Sequence, residues 1–170
     1  MISGNMEYRQ LDITVISAEN LKDVNLISEM DVYVEVSIGG DPIGKRKTHV
    51  DKQGGKSPKW NHHLKFAVDV LAANSALHLY FRIRSDRHLG DKDIGDVTVP
   101  IKELLDAAPA ATDGERVVEY PAHTPSGKPK GTLKFSYKLG DKLAAPAGPS
   151  AAYPPSADER NLFCYFLIGI

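Results

Sequence analysis

Apolar and polar positions alternate with a period of two through most of the chain. Leu77, Leu79, Phe81 and Ile83 fall on one face, and His78, Tyr80, Arg82 and Arg84 on the other, the pattern of a half-buried antiparallel strand. A charged run, Arg84-Ser-Asp-Arg-His-Leu-Gly-Asp-Lys-Asp93, separates this strand from a second one at Ile94 to Ile101. The same alternation marks Leu11, Ile13 and Val15, then Val32, Val34, Val36 and Ile38 with Tyr33, Glu35 and Ser37 opposite, and finally Leu133, Phe135, Tyr137 and Leu139. Shorter runs at Lys45 to Val50, Trp60 to Val70 and Arg116 to Tyr120 complete a set of eight predicted strands. Ile101 to Ala108 has a helical pattern of about two turns and stops before Pro109. Short strands with turn signals between them, and no βαβ alternation, predict an all-β fold, an eight-stranded antiparallel β-sandwich.

Composition adds a boundary at each end. Residues 1–7 lack an apolar core and read as a flexible N-terminus without a secretory signal. After Gly140 the chain turns to Lys142-Leu-Ala-Ala-Pro-Ala-Gly-Pro-Ser-Ala-Ala-Tyr-Pro-Pro155, too rich in Pro and Ala to pair in a sheet. Residues 141–170 are therefore expected to be a disordered Pro/Ala-rich tail with an apolar end, Leu162 to Ile170, which is about half of the ~20 residues a membrane-spanning helix needs. The domain proper is expected over 8–140. The one cysteine, Cys164, leaves no internal disulfide and fits a reducing compartment. Two readings of the tail stand: a terminus that folds back or stays disordered, and an anchor to a membrane or a protein partner, with Cys164 as an acylation site.

With 21 basic and 22 acidic residues the net charge is −1, which excludes nucleic-acid binding by bulk charge and leaves local clusters as the source of any anion-binding surface. One such cluster is Lys45, Arg46 and Lys47, followed by His49, Lys52, Lys56 and Lys59: six Lys or Arg within 15 positions, against Asp51 alone. It reads either as a lipid- or partner-binding surface or as an edge strand charged against aggregation. Catalytic motifs are missing. Gly55-Lys56-Ser57 has the wrong spacing for a phosphate-binding loop, no Gly-x-Ser-x-Gly or His-Glu-x-x-His occurs, and His62 and His63 are adjacent on a strand and so point to opposite faces.

Four segments in series carry a family resemblance: Leu11-Asp-Ile-Thr-Val-Ile-Ser-Ala-Glu-Asn-Leu21, Met30-Asp-Val-Tyr-Val34, Ser57-Pro-Lys-Trp-Asn61 and Asp93-Ile-Gly95. The chain resembles a C2 domain, and in detail the small plant cold-regulated and defence-related C2 proteins. The resemblance implies a phospholipid-binding sandwich in its circularly permuted, type II topology, in many members with calcium held by the loops at one end. It puts the calcium-binding aspartate positions at Asn25, Asp31, Arg84, Asp86 and Lys92, with Asp91 and Asp93 flanking the last. It also puts Lys45 to His49 on the polybasic strand of lipid-binding members.

Calcium needs six to eight oxygen ligands, and its affinity follows the count of ligand charges. Arg84 and Lys92 at ligand positions bring positive charge into that site. At about 4 Å, unlike charges attract by ~4 kcal/mol at an effective dielectric near 20, so internal salt bridges compete with the ion. The leading expectation is a non-enzymatic module, cytoplasmic and peripheral to the membrane, docking on anionic phospholipid through Lys45, Arg46 and Lys47 and the loop end, with weak or absent calcium dependence. Leu26, Ile27 and Leu89 are candidates for shallow insertion, and Trp60 is expected to pack in the core. The alternatives are a protein-interaction adaptor in stress or defence signalling, with the tail recruiting the partner, and calcium-dependent lipid binding through Asn25, Asp31, Asp86, Asp91 and Asp93.

Overall fold

The computed structural model describes residues 8–39, 44–69, 77–107 and 114–143; for 141–143 the backbone alone is described. The expected flexible N-terminus and residues 144–170 of the tail expected over 141–170, Cys164 among them, lie outside the described residues. The strands are β1 (Tyr8–Glu19), β2 (Val32–Ile38), β3 (Arg46–Lys47), β4 (Lys59–Asp69), β5 (His78–Ser85), β6 (Lys92–Pro100), β7 (Arg116–His123) and β8 (Pro129–Leu143), with one helix, α1 (Ile101–Ala107), between β6 and β7.

All pairings are antiparallel, in the order β3-β2-β5-β6-β7-β8-β1-β4. β6 and β7 share one registered pair, Asp96↔His123, and the sheet folds over at that seam into two four-stranded layers. Gly95 is needed there, because a Cβ at that position would stand 3.2 Å from the His123 carbonyl oxygen. The first and last strands, β1 and β8, are neighbours in the centre of one layer, as the permuted topology requires.

Alternation turns one face of each layer inward. Leu11, Ile13 and Val15 of β1 meet Phe81 and Ile83 of β5 and Phe135 of β8, all fully buried in one cluster. The Phe81 and Phe135 rings lie 4.6 Å apart, a distance at which aromatic pairs attract beyond simple burial. Trp60 is a core residue, as its position predicts, and its indole Nε1–H donates to the Val32 carbonyl at 2.9 Å. That bond ties β4 of one layer to β2 of the other. The helix is tied to β8, whose Tyr137 donates its hydroxyl to the Leu104 carbonyl.

Two departures from the predicted pattern shape the functional end. The third strand, predicted over Lys45 to Val50, is ladder-paired only at Arg46–Lys47. The Thr48 N–H still donates to the Val34 carbonyl at 2.9 Å, but the Val34 N–H goes to the Thr48 hydroxyl at 3.0 Å, so a side chain takes half of the next rung. The β5–β6 ladder has a bulge: Ile83 pairs with Gly95, but Arg84 pairs with Asp93. The extra residue, Ile94, goes inward next to Gly95, and Asp93 is turned toward the arginines of β5.

Candidate functional site

At one end of the sandwich, loops 20–31, 48–58 and 86–91 surround a cleft of 580 Å³. Its walls carry Asn25, Asp31 and Asp86, and also Lys52, Arg87 and Lys92. Asn25 and Asp31 are engaged by side-chain bonds within the protein, while the exposed Asp86 is tied through its backbone N–H. Asn25 accepts from the Ser85 hydroxyl at 3.2 Å and donates to Ser28 Oγ and the Glu29 carbonyl, both at 3.3 Å. The Asp31 carboxylate accepts the Gln53 N–H at 2.7 Å, and its carbonyl accepts the Asp86 N–H at 2.8 Å. This clips loop 86–91 to the start of β2.

The two flanking aspartates turn away from the cleft. Asp91 accepts the Tyr33 hydroxyl at 2.5 Å and the Arg87 N–H at 3.0 Å, and these bonds, the tyrosine's first, hold its carboxyl below the usual carboxylate range. Burial, with the hydrogen bond to Asp91 next, pushes the Tyr33 phenol up to about 12. Asp93 is bridged by Arg82 at 3.0 Å and Arg84 at 2.8 Å. Burial alone would raise the Asp93 carboxyl, but the two guanidinium groups outweigh it and bring it below its ordinary value. Arg84 also donates to the Asp91 carbonyl at 3.3 Å, so one side chain spans the base of the loop. Above the cleft Leu26 and Ile27 of one loop and Leu89 of another are 99%, 98% and 94% exposed.

The basic run is divided by its own strand. Lys45 and Lys47 project onto the outer face of β2 and β5, where Lys45 and Arg82 stand 3.6 Å from Glu35 Oε1 and Lys47 3.9 Å from Oε2. Lys47 also lies over the Tyr33 ring, 5.5 Å from its centroid. Arg46 points the other way and covers the Phe66 ring at 5.5 Å, so it leaves the cluster. Lys52 belongs to the loop-end cleft, and Lys56 and Lys59 are exposed on the turn and strand that follow. His49 meets His62, Nδ1 to Nδ1 at 2.9 Å. Burial, then the neighbouring His49 and His63, lower the His62 pKa.

Glu35, Arg82 and Tyr33 were not singled out from the sequence. Their signal was present in the polar faces of β2 and β5, whose register sets Glu35 opposite Arg82 and Tyr33 opposite Arg84.

Residues 9–115 match the family model described as C2 domain. The chain is a C2-domain protein. It is 48% identical over 161 residues to "Protein SRC2 homolog" of Arabidopsis thaliana and 45% identical over 174 residues to "Protein SRC2" of Glycine max, covering 92% and 94% of this chain. It spans 49% and 60% of the length of those two relatives. A C2 domain of plant Extended Synaptotagmin 1 has the same fold at 20% identity, with a TM-score of 0.66 over 80% of this chain and 97% of that one.

In a C2 domain the loop end is the place for calcium, and the residues here do not fit that ion. Among the described residues no three His, Cys, Asp or Glu side chains are grouped to hold one metal. Asp93 is neutralised by Arg82 and Arg84, Asp91 is held by Tyr33, and Lys92 stands in the cleft wall. The bulge supplies the one-residue shift that would have brought Asp93 into play, but it delivers the carboxylate to Arg84 instead.

Proposed function

We propose that this C2 domain is a non-enzymatic module that docks on anionic phospholipid membranes without calcium, peripheral to the bilayer on its cytoplasmic side. The observation that carries the reading is the nearly complete exposure of Leu26, Ile27 and Leu89 on two loops at one end, with Lys52, Arg87 and Lys92 on the walls of the cleft between those loops. Large aliphatic side chains gathered at a loop end are costly in water and fit the headgroup boundary of a bilayer. Burying each contributes about 1.5–3 kcal/mol, and each basic residue near an anionic surface adds about 1 kcal/mol. The sum is enough for reversible docking. Lys45 and Lys47 extend the positive surface along the outer face of β2. Arg46, packed on Phe66, supports that strand and does not itself touch lipid.

Among the described residues no helix is long and apolar enough to cross a membrane. The test is co-sedimentation with phosphatidylserine-containing vesicles in the presence of a calcium chelator. The native chain is expected in the pellet at low salt. Changing Leu26, Ile27 and Leu89 together to Asp should leave it in the supernatant with an unchanged melting temperature. Equal sedimentation of the two proteins would overturn the insertion reading.

A further inference from the structure

The edge of the sandwich opposite the β6–β7 seam is closed by side chains. There β3 is the outer strand of one layer and β4 the outer strand of the other. Across the gap Arg46 covers the Phe66 ring, and His49 meets His62. The His49 backbone N–H donates to His62 Nδ1 at 3.1 Å, and the two Nδ1 atoms stand 2.9 Å apart.

That geometry fixes where the protons are. An imidazole nitrogen carries either a proton or a lone pair available to a donor. His62 Nδ1 accepts a backbone N–H, so it holds the lone pair and the proton of its ring is on Nε2. His49 Nδ1 faces the same lone pair at hydrogen-bond distance, so it carries a proton and donates. With the nitrogens 2.9 Å and the ring centroids 5.1 Å apart, the two rings meet nearly end to end. A metal ion in line between them, with bonds to nitrogen of about 2.0–2.1 Å, would hold the nitrogens about 4 Å apart, so the gap fits a proton.

A proton added to His62 has only Nδ1 to go to. There it would set a third N–H against two others and break both bonds. A proton added to His49 goes to Nε2 and leaves the contact in place. The surroundings work in the same direction. Burial, then His49 and His63, oppose a charge on His62, and its partner on β1 is Val15. The carboxylates of the flanking elements are turned elsewhere: Asp51 accepts the Lys59 N–H at 2.9 Å, and Asp12 lies 3.9 Å from His63. Of the cations, Arg46 covers Phe66, Lys47 stands by Tyr33 and Glu35, and Lys59 is exposed.

We propose that the His49–His62 pair is a proton-sensitive clasp between the two layers, closed while His62 is neutral and open once it is protonated. It fastens the segment that leads from β3 into loop 51–58, whose Lys52 stands in the wall of the loop-end cleft. Acid therefore loosens the approach to that wall, with two imidazolium charges side by side driving the rings apart. The clasp does not depend on membrane docking. Because the folded-state pKa of His62 lies below its ordinary 6.5, the stability it contributes is present above that value and is lost as pH falls through the lower, folded one.

Nitrogen NMR of the imidazoles in the native chain reads the pair directly. At neutral pH His62 should carry its proton on Nε2, with a coupling through the hydrogen bond that joins the two Nδ1 atoms. On acidification the protection of the His49 amide against exchange should fall about tenfold or more as His62 takes up its proton, at a pH below 6.5. A proton on His62 Nδ1 at neutral pH, or a His49 amide whose protection does not follow the His62 titration, overturns the clasp. His62→Asn offers a carbonyl acceptor that does not titrate, and it should keep the His49 amide protected down to about pH 5. An undiminished loss of protection in that variant also overturns the clasp. If His62→Asn fails to fold, His49→Ala at its exposed position decides: without the ring donor and its charge the His62 midpoint should rise toward 6.5, and an unchanged midpoint rejects the clasp.

Discussion

The loop-end cleft and the outer face of β2 and β5 both hold carboxylates beside basic residues, yet they satisfy them differently. In the loop-end cleft the polar partners are fixed by short bonds, Asp31 to the Gln53 N–H and Asn25 to the Ser85 hydroxyl, and on the outer face Asp93 is fixed in the same way to Arg82 and Arg84. On the outer face Glu35 is more buried than any of them, three cations stand 3.6–3.9 Å from it, and its Oε1, closed off from solvent, takes no hydrogen bond from a described residue. Short, saturated contacts hold a loop in place, while the long ones around Glu35 leave a buried carboxylate oxygen unsatisfied. The strand face beside the loop end is thus the part of the molecule where a buried carboxylate keeps only long ion pairs.

The largest expected effect removes the ground both regions share. Phe135→Ala, which empties the layer contact with Phe81, should lower stability by about 3–5 kcal/mol in urea unfolding and abolish docking, with both regions loosened together. An effect on one region alone would contradict a single supporting core.

Reversing the charges at the loop end sharpens the contrast. Arg84→Asp with Lys92→Asp releases Asp93 to Arg82 alone and returns acidic residues to the ligand positions. The double variant should gain a saturable calcium response in backbone NMR, confined to residues 25–31 and 84–93, that the native chain lacks.

Arg84→Ala removes one of the two bridges to Asp93, a half-exposed interaction that solvent screens. It should cost about 1 kcal/mol at neutral pH. Because the folded-state pKa of Asp93 lies below the unfolded value, its contribution is present above the unfolded pKa and is lost as pH falls through the folded one. The native and variant stabilities should therefore differ most above about pH 5 and converge below about pH 4. Thermal unfolding as a function of pH measures this.

The smallest effect concerns Tyr33. Its phenol is raised from 10.0 to about 12, so the contribution of the neutral form is complete below pH 10 and disappears as pH rises to about 12. Tyr33→Phe should lose about 1 kcal/mol or less, and ultraviolet titration should show one high-pKa tyrosine fewer.

The sandwich was legible because period-2 alternation acts through burial, and burial fixes faces without regard to loops. Val32 to Ile38 and Leu133 to Leu139 are inward at the alternating positions their pattern predicts. The short helix and the buried Trp60 followed from the same signals. The candidate site was less legible because it depends on one-residue details. Counting back from Gly95 places Lys92 at the ligand position, whereas the bulge at Ile94 sets Asp93 against Arg84. Proximity along the chain also grouped Lys45, Arg46 and Lys47, which a strand necessarily divides between two faces. The neighbours that matter to Lys45 and Lys47 come from other strands, Glu35 on β2 and Arg82 on β5, and only sheet register brings them together.

The central claim is that docking is independent of calcium because Arg84 and Arg82 already occupy the carboxylate an ion would need. Its most direct test is the affinity of the native chain for phosphatidylserine vesicles measured by co-sedimentation in chelator and again in millimolar calcium. The two affinities should agree within twofold. Binding that appears only when calcium is added would contradict the account.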